Sequence, residues 1–534
     1  MAKQILFDND GRQKLTAGMQ TLAKAVSSTL GPSGKNVIID KSFSGPVSTK
    51  DGISVSKEIE LPDPFENMGA KILNEVASKT NDNVGDGTTT AIVLASKMIE
   101  EGRRYVTAGV QAQALRKGME LAADAVEDVI LDSAKKVEGY DQIRNVAYIS
   151  SNSDNQIADL LAEAMDSVTS NGVITIEENK GVETYLEVVQ GLQFDKGFCS
   201  PYFITDPANL STEYEDVYIL FYEKKIAAVH ELVPLLEKVA PTGKPLVIIA
   251  ENVEAEALAA LVINKLQGVL QTVAVKSPGF GDRRKSLMED MAILTSGEFI
   301  SEDRGIGLDQ VELEQLGRAR KVVIDKGKTI VIDGAGEAAA IEERINQINI
   351  QMEQTTSTYD KEKFTERKAK LGGGIAVLYI GGHTEMEMKD RKDRATDALH
   401  STRAAAESGI IPGGGTIFVR ALKALEKVKA KGDAAFGVKV VGSALGAPIR
   451  TIAANAGFDP GEVLIEVSEL KGSKGFNAFT GEYSDLVKDG VIDPTDVVLT
   501  ALRNAVSIAG LNLTTDALIT DVDDHDEPVV NAVV

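Results

Sequence analysis

The chain has 534 residues, 43% of them hydrophobic, and a net charge of −23. This length predicts about two to four domains, and the acidic charge argues against a nucleic-acid-binding protein, which needs a basic surface for phosphate contacts. Cys199 is the only cysteine, which excludes an intrachain disulfide and a thiolate metal cluster. No apolar run is long enough to span a bilayer, so we expect no membrane partner and a cytoplasmic protein, or an organelle-matrix protein if a targeting sequence has been removed.

The N-terminal part of the chain is predicted to be mostly helical. Between Gly11 and Leu30 apolar residues recur at helical spacing, and Gly31-Pro32 ends that helix. A strand is predicted at 36–40, and long helices follow it up to about Val137. This part of the chain is therefore predicted to form one packed unit.

The segment Gly85-Asp86-Gly87-Thr88-Thr89-Thr90 interrupts these helices. Its two glycines allow a tight turn and a close approach to a ligand. The threonines then occupy the first turn of a helix, where free N–H groups and the helix dipole favour an anion. Asp86 is placed to hold the Mg²⁺ that accompanies a triphosphate. An ordinary helix cap needs only one such residue, so the segment predicts a phosphate-binding turn. It is not a Walker A loop, and the nearest candidate at 31–36 has the wrong glycine spacing.

The middle of the chain has a different pattern. Buried strands are predicted at 244–250 and 272–276, with a helix at 254–267 between them, which is a βαβ unit. Strand-like runs at 321–324 and 329–332 extend the predicted sheet. The sequence therefore predicts a separate α/β domain in the middle of the chain.

After Gly372-Gly373-Gly374 the chain is predicted to return to long helices, at 385–408, 414–429 and 434–456. Helical segments on both sides of an α/β insert predict a discontinuous helical domain built from both ends of the chain. The glycines near Gly191 and at 372–374 are either hinges between domains or ordinary turn glycines. The pattern alone leaves both interpretations open.

Four segments closely resemble the group I chaperonins, the GroEL family, and the resemblance extends with short gaps from about Lys3 to Asp521. The four segments are Thr29–Pro32, Thr49–Gly52, Gly85–Thr90 and Pro412–Gly415.

The resemblance implies a multidomain fold with α and α/β parts. A mainly helical equatorial domain is expected at 1–132 and 408–534, and an α/β apical domain is expected to be inserted at 191–374. A small intermediate hinge domain, at 133–190 and 375–407, is expected between them. The resemblance implies that the protein is an ATPase. It also implies that the protein captures unfolded or partly folded polypeptides and encloses them in two stacked seven-membered rings. A GroES-like co-chaperonin lid, Mg²⁺ and K⁺ are implied as well.

The resemblance also assigns roles around the nucleotide. Asp86 matches the Mg²⁺ ligand, Asp51 a polar partner of the γ-phosphate and water, and Asp397 the residue that positions and activates the attacking water. From its local sequence alone Asp397 is an ordinary acid of a charged helix. Backbone oxygens of Thr29, Lys50 and Thr89 match ligands of K⁺. The residues that match ATP contacts are Thr29, Leu30, Gly31, Pro32, Asp86, Gly87, Thr88, Thr89, Thr90, Gly414, Asn477, Ala478 and Asp493, with Phe479 where a small residue is common.

The predicted helix at 254–267 is apolar around most of its circumference, whereas a helix that covers a sheet needs only one apolar stripe. Its second face is either buried in a larger core or exposed for a partner. In the group I chaperonins that the chain resembles, the segments that match this helix and 231–237 lie at the mouth of the ring cavity. There they bind unfolded chains and the co-chaperonin. The implied substrate-binding residues are Phe198, Tyr202, Phe203, Val233, Leu236, Leu258, Val262, Ile263 and Asn264.

Two other functions remain open from the sequence. One is a nucleotide-dependent holdase or assembly factor without a productive lid cycle, and the other is a monomeric small-molecule ATPase. The acidic segment 521–534 stands where many bacterial members carry a Gly-Gly-Met tail, and we predict it to be disordered. This departure is what keeps the holdase interpretation open.

Overall fold

The computed structural model describes residues 3–521 except 41–45, 138, 169–172, 180, 208, 302–304 and 356. By its contacts the chain divides into two units. The first unit comprises residues 1–162, 180–182 and 381–534, and the second comprises 163–179 and 183–380. The predicted acidic tail after Asp521 lies outside the described residues, and the boundaries of the three expected domains stay predictions.

The helices are numbered along the chain. They are α1 Asp8–Ser27, α2 Gly52–Lys57, α3 Pro64–Val84, α4 Thr88–Thr107, α5 Ala112–Ser133, α6 Tyr140–Ser150, α7 Asn155–Ser167, α8 Val233–Val239, α9 Ala255–Leu266, α10 Gly281–Leu294, α11 Ala338–Gln354, α12 Thr358–Gly372, α13 Glu385–Ser408, α14 Thr416–Leu425, α15 Ala434–Leu445, α16 Ala447–Asn455, α17 Pro460–Glu469 and α18 Thr495–Leu513.

The strands are numbered in the same way. They are β1 Lys3–Phe7, β2 Val37–Ile39, β3 Val47–Thr49, β4 Val173–Glu178, β5 Tyr185–Val189, β6 Gly191–Phe194, β7 Thr212–Tyr222, β8 Lys225–Ile226, β9 Leu246–Ala250, β10 Asn252–Val253, β11 Thr272–Lys276, β12 Phe299–Ile300, β13 Gly317–Ile324, β14 Thr329–Gly334, β15 Ile375–Ile380, β16 Ile410–Pro412, β17 Lys474–Asn477, β18 Glu482–Asp485, β19 Ile492–Pro494 and β20 Ala517–Asp521.

Long helices from both ends of the chain pack together in the first unit. One core is shared by α1, α3, α4 and α5 from the N-terminal part of the chain and by α15 and α18 from the C-terminal part. α3, α4 and α5 each contact α15 or α18, and α1 contacts α3 and α4. Each helix contributes apolar side chains at spacings of three and four residues, which places them on one face. Strands β1 and β20 pair antiparallel, with Lys3 opposite Asp521, so the two ends of the described residues lie side by side. Fully buried members of the core include Leu22, Leu73, Leu94, Met119, Val440 and Leu502.

A mixed sheet of seven strands forms the centre of the described part of the second unit. Its order is β11-β9-β7-β13-β14-β6, and β12 pairs with β7. β9 and β11 are parallel and α9 connects them, which confirms the predicted βαβ unit. A smaller sheet in the order β4-β15-β5 belongs to the same unit. The chain is therefore multidomain, with a helical part and an α/β part, as expected. Within the described residues, no helix is both long and apolar enough to cross a membrane.

Two elements differ from the sequence prediction. Strand β15, at Ile375–Ile380, follows the triple glycine directly, where only helices were expected. It is short and pairs on both sides, with β4 and β5, so its side chains are mostly buried and show no alternation. The helix predicted at 434–456 is two helices, α15 and α16, that meet at Gly446. Pro448 has no N–H to continue the hydrogen bonds of α15, which explains the break.

A buried ionic cluster in the second unit joins α10, α11 and α12. The Asp290 carboxylate accepts hydrogen bonds from Arg344 Nε at 2.7 Å and from Arg367 Nε and Nη2 at 2.7 and 2.8 Å. Asp290 is 4% exposed and Arg367 is 7% exposed, so solvent screens these contacts only weakly. The cluster fixes the two later helices against α10.

We predict that Asp290→Ala opens α11 and α12 locally, because it leaves the Arg367 guanidinium buried without its anion. Breaking a buried pair on one side costs about 3–5 kcal/mol. Hydrogen exchange of the amides in both helices measures that loss of protection. Glu342→Ala, at an exposed position of α11, is the matched control. Equal protection in the two variants would contradict a stabilising role for the cluster.

Candidate functional site

The first unit contains a cavity of about 810 Å³, a volume typical of small-molecule sites. Loops and helix ends from both halves of the unit line it. All of the residues matched to nucleotide and cation contacts are among its lining: Thr29, Leu30, Gly31, Pro32, Lys50, Asp51, Asp86, Gly87, Thr88, Thr89, Thr90, Asp397, Gly414, Asn477, Ala478, Phe479 and Asp493. The structure thus brings together residues that are far apart in sequence.

The turn between α3 and α4 forms one wall of the cavity. Gly85 has φ 69° and Gly87 has φ 78°, values that favour glycine. A Cβ at Gly85 would lie 2.1 Å from His400 Nδ1, and one at Gly87 would lie 2.7 Å from a methyl carbon of Val497. Both positions therefore require glycine for conformation and for space.

Helix α4 begins at this turn with its N-terminus directed to the cavity. Gly87, the residue that precedes the helix, has no side chain to cap it, and Ala91 N makes the first intrahelical bond, to Gly87 O, at 3.0 Å. The N–H groups of Thr88, Thr89 and Thr90 have no acceptor within the helix. Together with the threonine hydroxyls they form a surface suited to an anion such as phosphate.

Asp51 has a local structural task as well as its predicted role. It precedes α2, and its carboxylate accepts hydrogen bonds from Ile53 N at 3.3 Å and from Ser54 N at 2.8 Å. A carboxylate offers about four acceptor positions, so capping leaves capacity for water or a cation. A Cβ at Gly52 would lie 2.0 Å from Thr89 Oγ1, so glycine allows this loop to reach the phosphate-binding turn.

The carboxylate of Asp86 accepts hydrogen bonds from two serines that the sequence reasoning did not identify. Ser401 Oγ on α13 lies 2.6 Å from Asp86 Oδ2, and Ser150 Oγ, at the end of α6, lies 3.1 Å from the same oxygen. A further lining residue that was missed is Asp393 on α13. The spacing of four residues between Asp393, Asp397 and Ser401 was the available signal, because such residues share a helix face.

Acidic side chains repel one another across the cavity. Burial raises the pKa of Asp397 well above its ordinary value, and the charges of Asp51, Asp86 and Asp393 raise it further. Burial also raises the pKa of Asp493 to about 7, with a contribution from Asp86. A bound cation would relieve this repulsion and favour the ionised form of Asp397.

The residues present fit Mg²⁺ held jointly with a nucleotide. In the described part of the chain, no group of three His, Cys, Asp or Glu side chains is arranged to hold a metal ion by itself. Mg²⁺ is usually held by one or two carboxylates together with substrate phosphates and water. Asp86, within the predicted phosphate-binding turn, can supply such a carboxylate. Thr29, Lys50 and Thr89 line the same cavity, and K⁺ binding by their backbone oxygens stays a prediction.

The far wall of the cavity comes from the C-terminal part of the unit. Asn477 Oδ1 accepts a hydrogen bond from Phe479 N at 3.1 Å, which fixes the loop after β17. The Phe479 side chain is 76% exposed at the cavity edge. Gly413 lies against Asp493, where a Cβ would be 3.0 Å from the carboxylate. This wall offers an aromatic ring and an acid, which suit a base and a ribose hydroxyl.

The second unit carries the predicted polypeptide-binding residues on and beside α8 and α9. α9 has two kinds of face, because Ala257 and Leu261 are fully buried while Ile263 is 51% and Leu266 is 63% exposed. The second face of this helix is therefore exposed and not buried in a larger core, and the binding of a partner to it stays a prediction. Val233 and Tyr202 are exposed as well, and the remaining predicted residues except one are half-buried: Phe198, Leu236, Leu258, Val262 and Asn264.

Phe203 is the exception. Its side chain is fully buried, so in this structure it cannot contact a bound chain. Ser200 begins a short 3₁₀ turn, accepting a hydrogen bond from Tyr202 N at 3.4 Å. The turn directs Tyr202 outward and Phe203 into the core. Lys265 on α9 bonds to Tyr202 O and Ile204 O at 3.1 and 2.9 Å, which fixes this segment against the helix.

Comparison with protein families matches residues 22–523 to the TCP-1/cpn60 chaperonin family, so the match covers most of the chain. Membership implies nucleotide binding, ATPase activity, binding of substrate polypeptides and assembly into rings. It also indicates a chaperone role in protein folding. Because this match covers most of the chain, the protein belongs to the TCP-1/cpn60 chaperonin family.

Proposed function

We propose that the protein is an ATP-dependent folding chaperonin of the group I type. The observation that carries the proposal is the convergence of the phosphate-binding turn, Asp51, Asp86 and Asp397 on one cavity. The assignment to group I is supported by the four sequence segments that resemble group I chaperonins. In this proposal non-native polypeptides bind to the exposed apolar side chains of α8 and α9 and are then enclosed in the cavity of a ring.

The chain's own residues divide the chemistry of hydrolysis among them. The amides and hydroxyls of Thr88, Thr89 and Thr90 bind and orient the phosphates. Asp86 would hold the Mg²⁺, which would supply neutralisation of the charge on the phosphate oxygens. Asp397, whose ionised form a bound cation would favour, accepts a proton from the water that attacks the γ-phosphate. Asp51 orients that water from the N-terminus of α2.

The assembly proposed here has two stacked seven-membered rings, a GroES-like lid and K⁺ beside the nucleotide, in the cytoplasm. Family membership supports rings, and the exposed apolar residues of α8 and α9 support a surface that alternately binds polypeptide and lid. Exposed apolar side chains are tolerated in a stable protein when a partner covers them during part of the protein's functional cycle. A holdase would use the same surface without the lid.

Asp397→Ala should slow hydrolysis by about 10²–10⁴-fold, the usual contribution of a general base, and leave ATP affinity within a few-fold of wild type. Binding should persist because the threonine turn and the metal still hold the phosphates. Calorimetry gives the affinity, and single-turnover hydrolysis on the same preparation gives the rate.

Glu385→Ala is the matched control for Asp397→Ala, because Glu385 is an exposed acid of the same helix outside the cavity. It should hydrolyse ATP like the wild type. A large loss of affinity in Asp397→Ala, with little change in the chemical step, would show that Asp397 binds nucleotide or supports the structure.

Ile263→Ser should weaken capture of a chemically denatured model enzyme while ATPase activity and ring assembly persist. An exposed aliphatic side chain contributes about 1.5–3 kcal/mol when it is buried against a partner, which corresponds to about 10–150-fold in affinity. Ile350→Ser is the control, since Ile350 is 54% exposed on α11, away from α8 and α9 in the sequence. Equal effects of the two substitutions would refute a specific binding surface on α9.

A further inference from the structure

Ser401 differs from the other hydroxyl residues of α13. Thr396, Thr402 and Ser408 each donate to a backbone oxygen four residues earlier, at 2.9, 2.9 and 2.7 Å. This is the usual bond of a hydroxyl residue inside a helix. Ser401 donates instead to Asp86 Oδ2 at 2.6 Å, although its side chain is fully buried. Since a hydroxyl has one proton to donate, the bond to Asp86 replaces the bond to the helix.

Three segments distant in sequence meet at this one oxygen. Ser401 belongs to α13, Asp86 to the turn between α3 and α4, and Ser150 to the end of α6, with Ser150 Oγ 3.1 Å from Asp86 Oδ2. Beside this contact His400 packs against Gly85, where it would collide with any Cβ. The contact between α13 and the turn is therefore close and covers both the turn's backbone and its carboxylate.

Two hydroxyl donors on one carboxylate oxygen fix the rotamer of Asp86 and stabilise its charged form. Mg²⁺ requires near-octahedral geometry at short distances, so it tolerates little misalignment of a ligand. Hydrogen bonds that orient a ligating carboxylate typically change metal affinity by about 10–100-fold. Ser401 also lies one helical turn after Asp397, so the helix that carries the proposed general base also holds the proposed metal ligand.

We propose that Ser401, assisted by Ser150, is a positioning residue that orients the Asp86 carboxylate for Mg²⁺ in the nucleotide complex. The inference rests on the proposed function, because it assigns a support to the residue that holds the metal in that proposal. Ser401 touches neither nucleotide nor metal in it, and acts only through Asp86.

The test is a Mg²⁺ titration of the ADP complex of Ser401→Ala, followed by calorimetry. We expect apparent Mg²⁺ affinity to fall by about 10–100-fold, while ADP binding without Mg²⁺ stays within about twofold of wild type. ATP hydrolysis should recover toward the wild-type rate at saturating Mg²⁺, since the ligand itself is intact. Thr402→Val is the matched control, because it removes a buried hydroxyl from the adjacent position without touching Asp86.

Unchanged or tighter Mg²⁺ binding in Ser401→Ala would overturn the inference, and so would an equal loss in Thr402→Val. A loss of Mg²⁺-free ADP binding would show a structural role and overturn it as well. If Ser401→Ala does not assemble, Ser150→Ala makes the same test from α6, with a smaller expected loss. If the wild type does not bind ADP, the proposed function itself is refuted. If the wild type binds ADP and this binding depends on Mg²⁺, the result for Ser401→Ala tests the role of Ser401 alone.

Discussion

The turn between α3 and α4 can be made only with glycine on both sides of Asp86. Positive φ angles at Gly85 and Gly87 reverse the chain, and His400 and Val497 fill the space that side chains there would need. These two contacts come from α13 and α18, so the later part of the chain holds the turn in place. The N-terminus of α4, the Asp86 carboxylate and the cavity wall all depend on this packing.

Charge explains why the cavity suits a nucleotide with its metal better than a bare anion. The amides at the start of α4 attract phosphate, whereas the acids around them raise the pKa of Asp397 and of Asp493. A triphosphate alone would add to that repulsion, and a divalent cation shared with it would remove much of it. The same cation would favour an ionised Asp397, which a general base requires. In the proposed mechanism, metal binding and the ionisation of Asp397 would thereby be linked.

The sequence predicted elements well where one pattern dominated and poorly where tertiary contacts decided. α13 has the bounds that were predicted for it, 385–408. Strand β15 was missed because a short apolar run after three glycines has no periodicity of its own. The turn at 85–90 was predicted from its own residues and most other residues of the cavity from resemblance. The spacing of four residues could place Ser401 on the face of Asp397, but its contact with Asp86 spans 315 residues and could not be predicted locally. The burial of Phe203 was not foreseen either, because the resemblance does not show that the short turn at 201–203 directs this side chain into the core.

We propose that the Asp86 carboxylate makes the cavity an ATPase site through its metal. Steady-state ATP hydrolysis by Asp86→Asn tests it most directly, because asparagine keeps an oxygen to accept the bonds from Ser401 and Ser150 but loses the charge. Assembly and thermal stability should therefore stay near wild type. We predict that hydrolysis nearly stops, since the carboxylate that would hold the metal beside the phosphates is removed. Near-normal hydrolysis by an assembled Asp86→Asn protein would contradict the account.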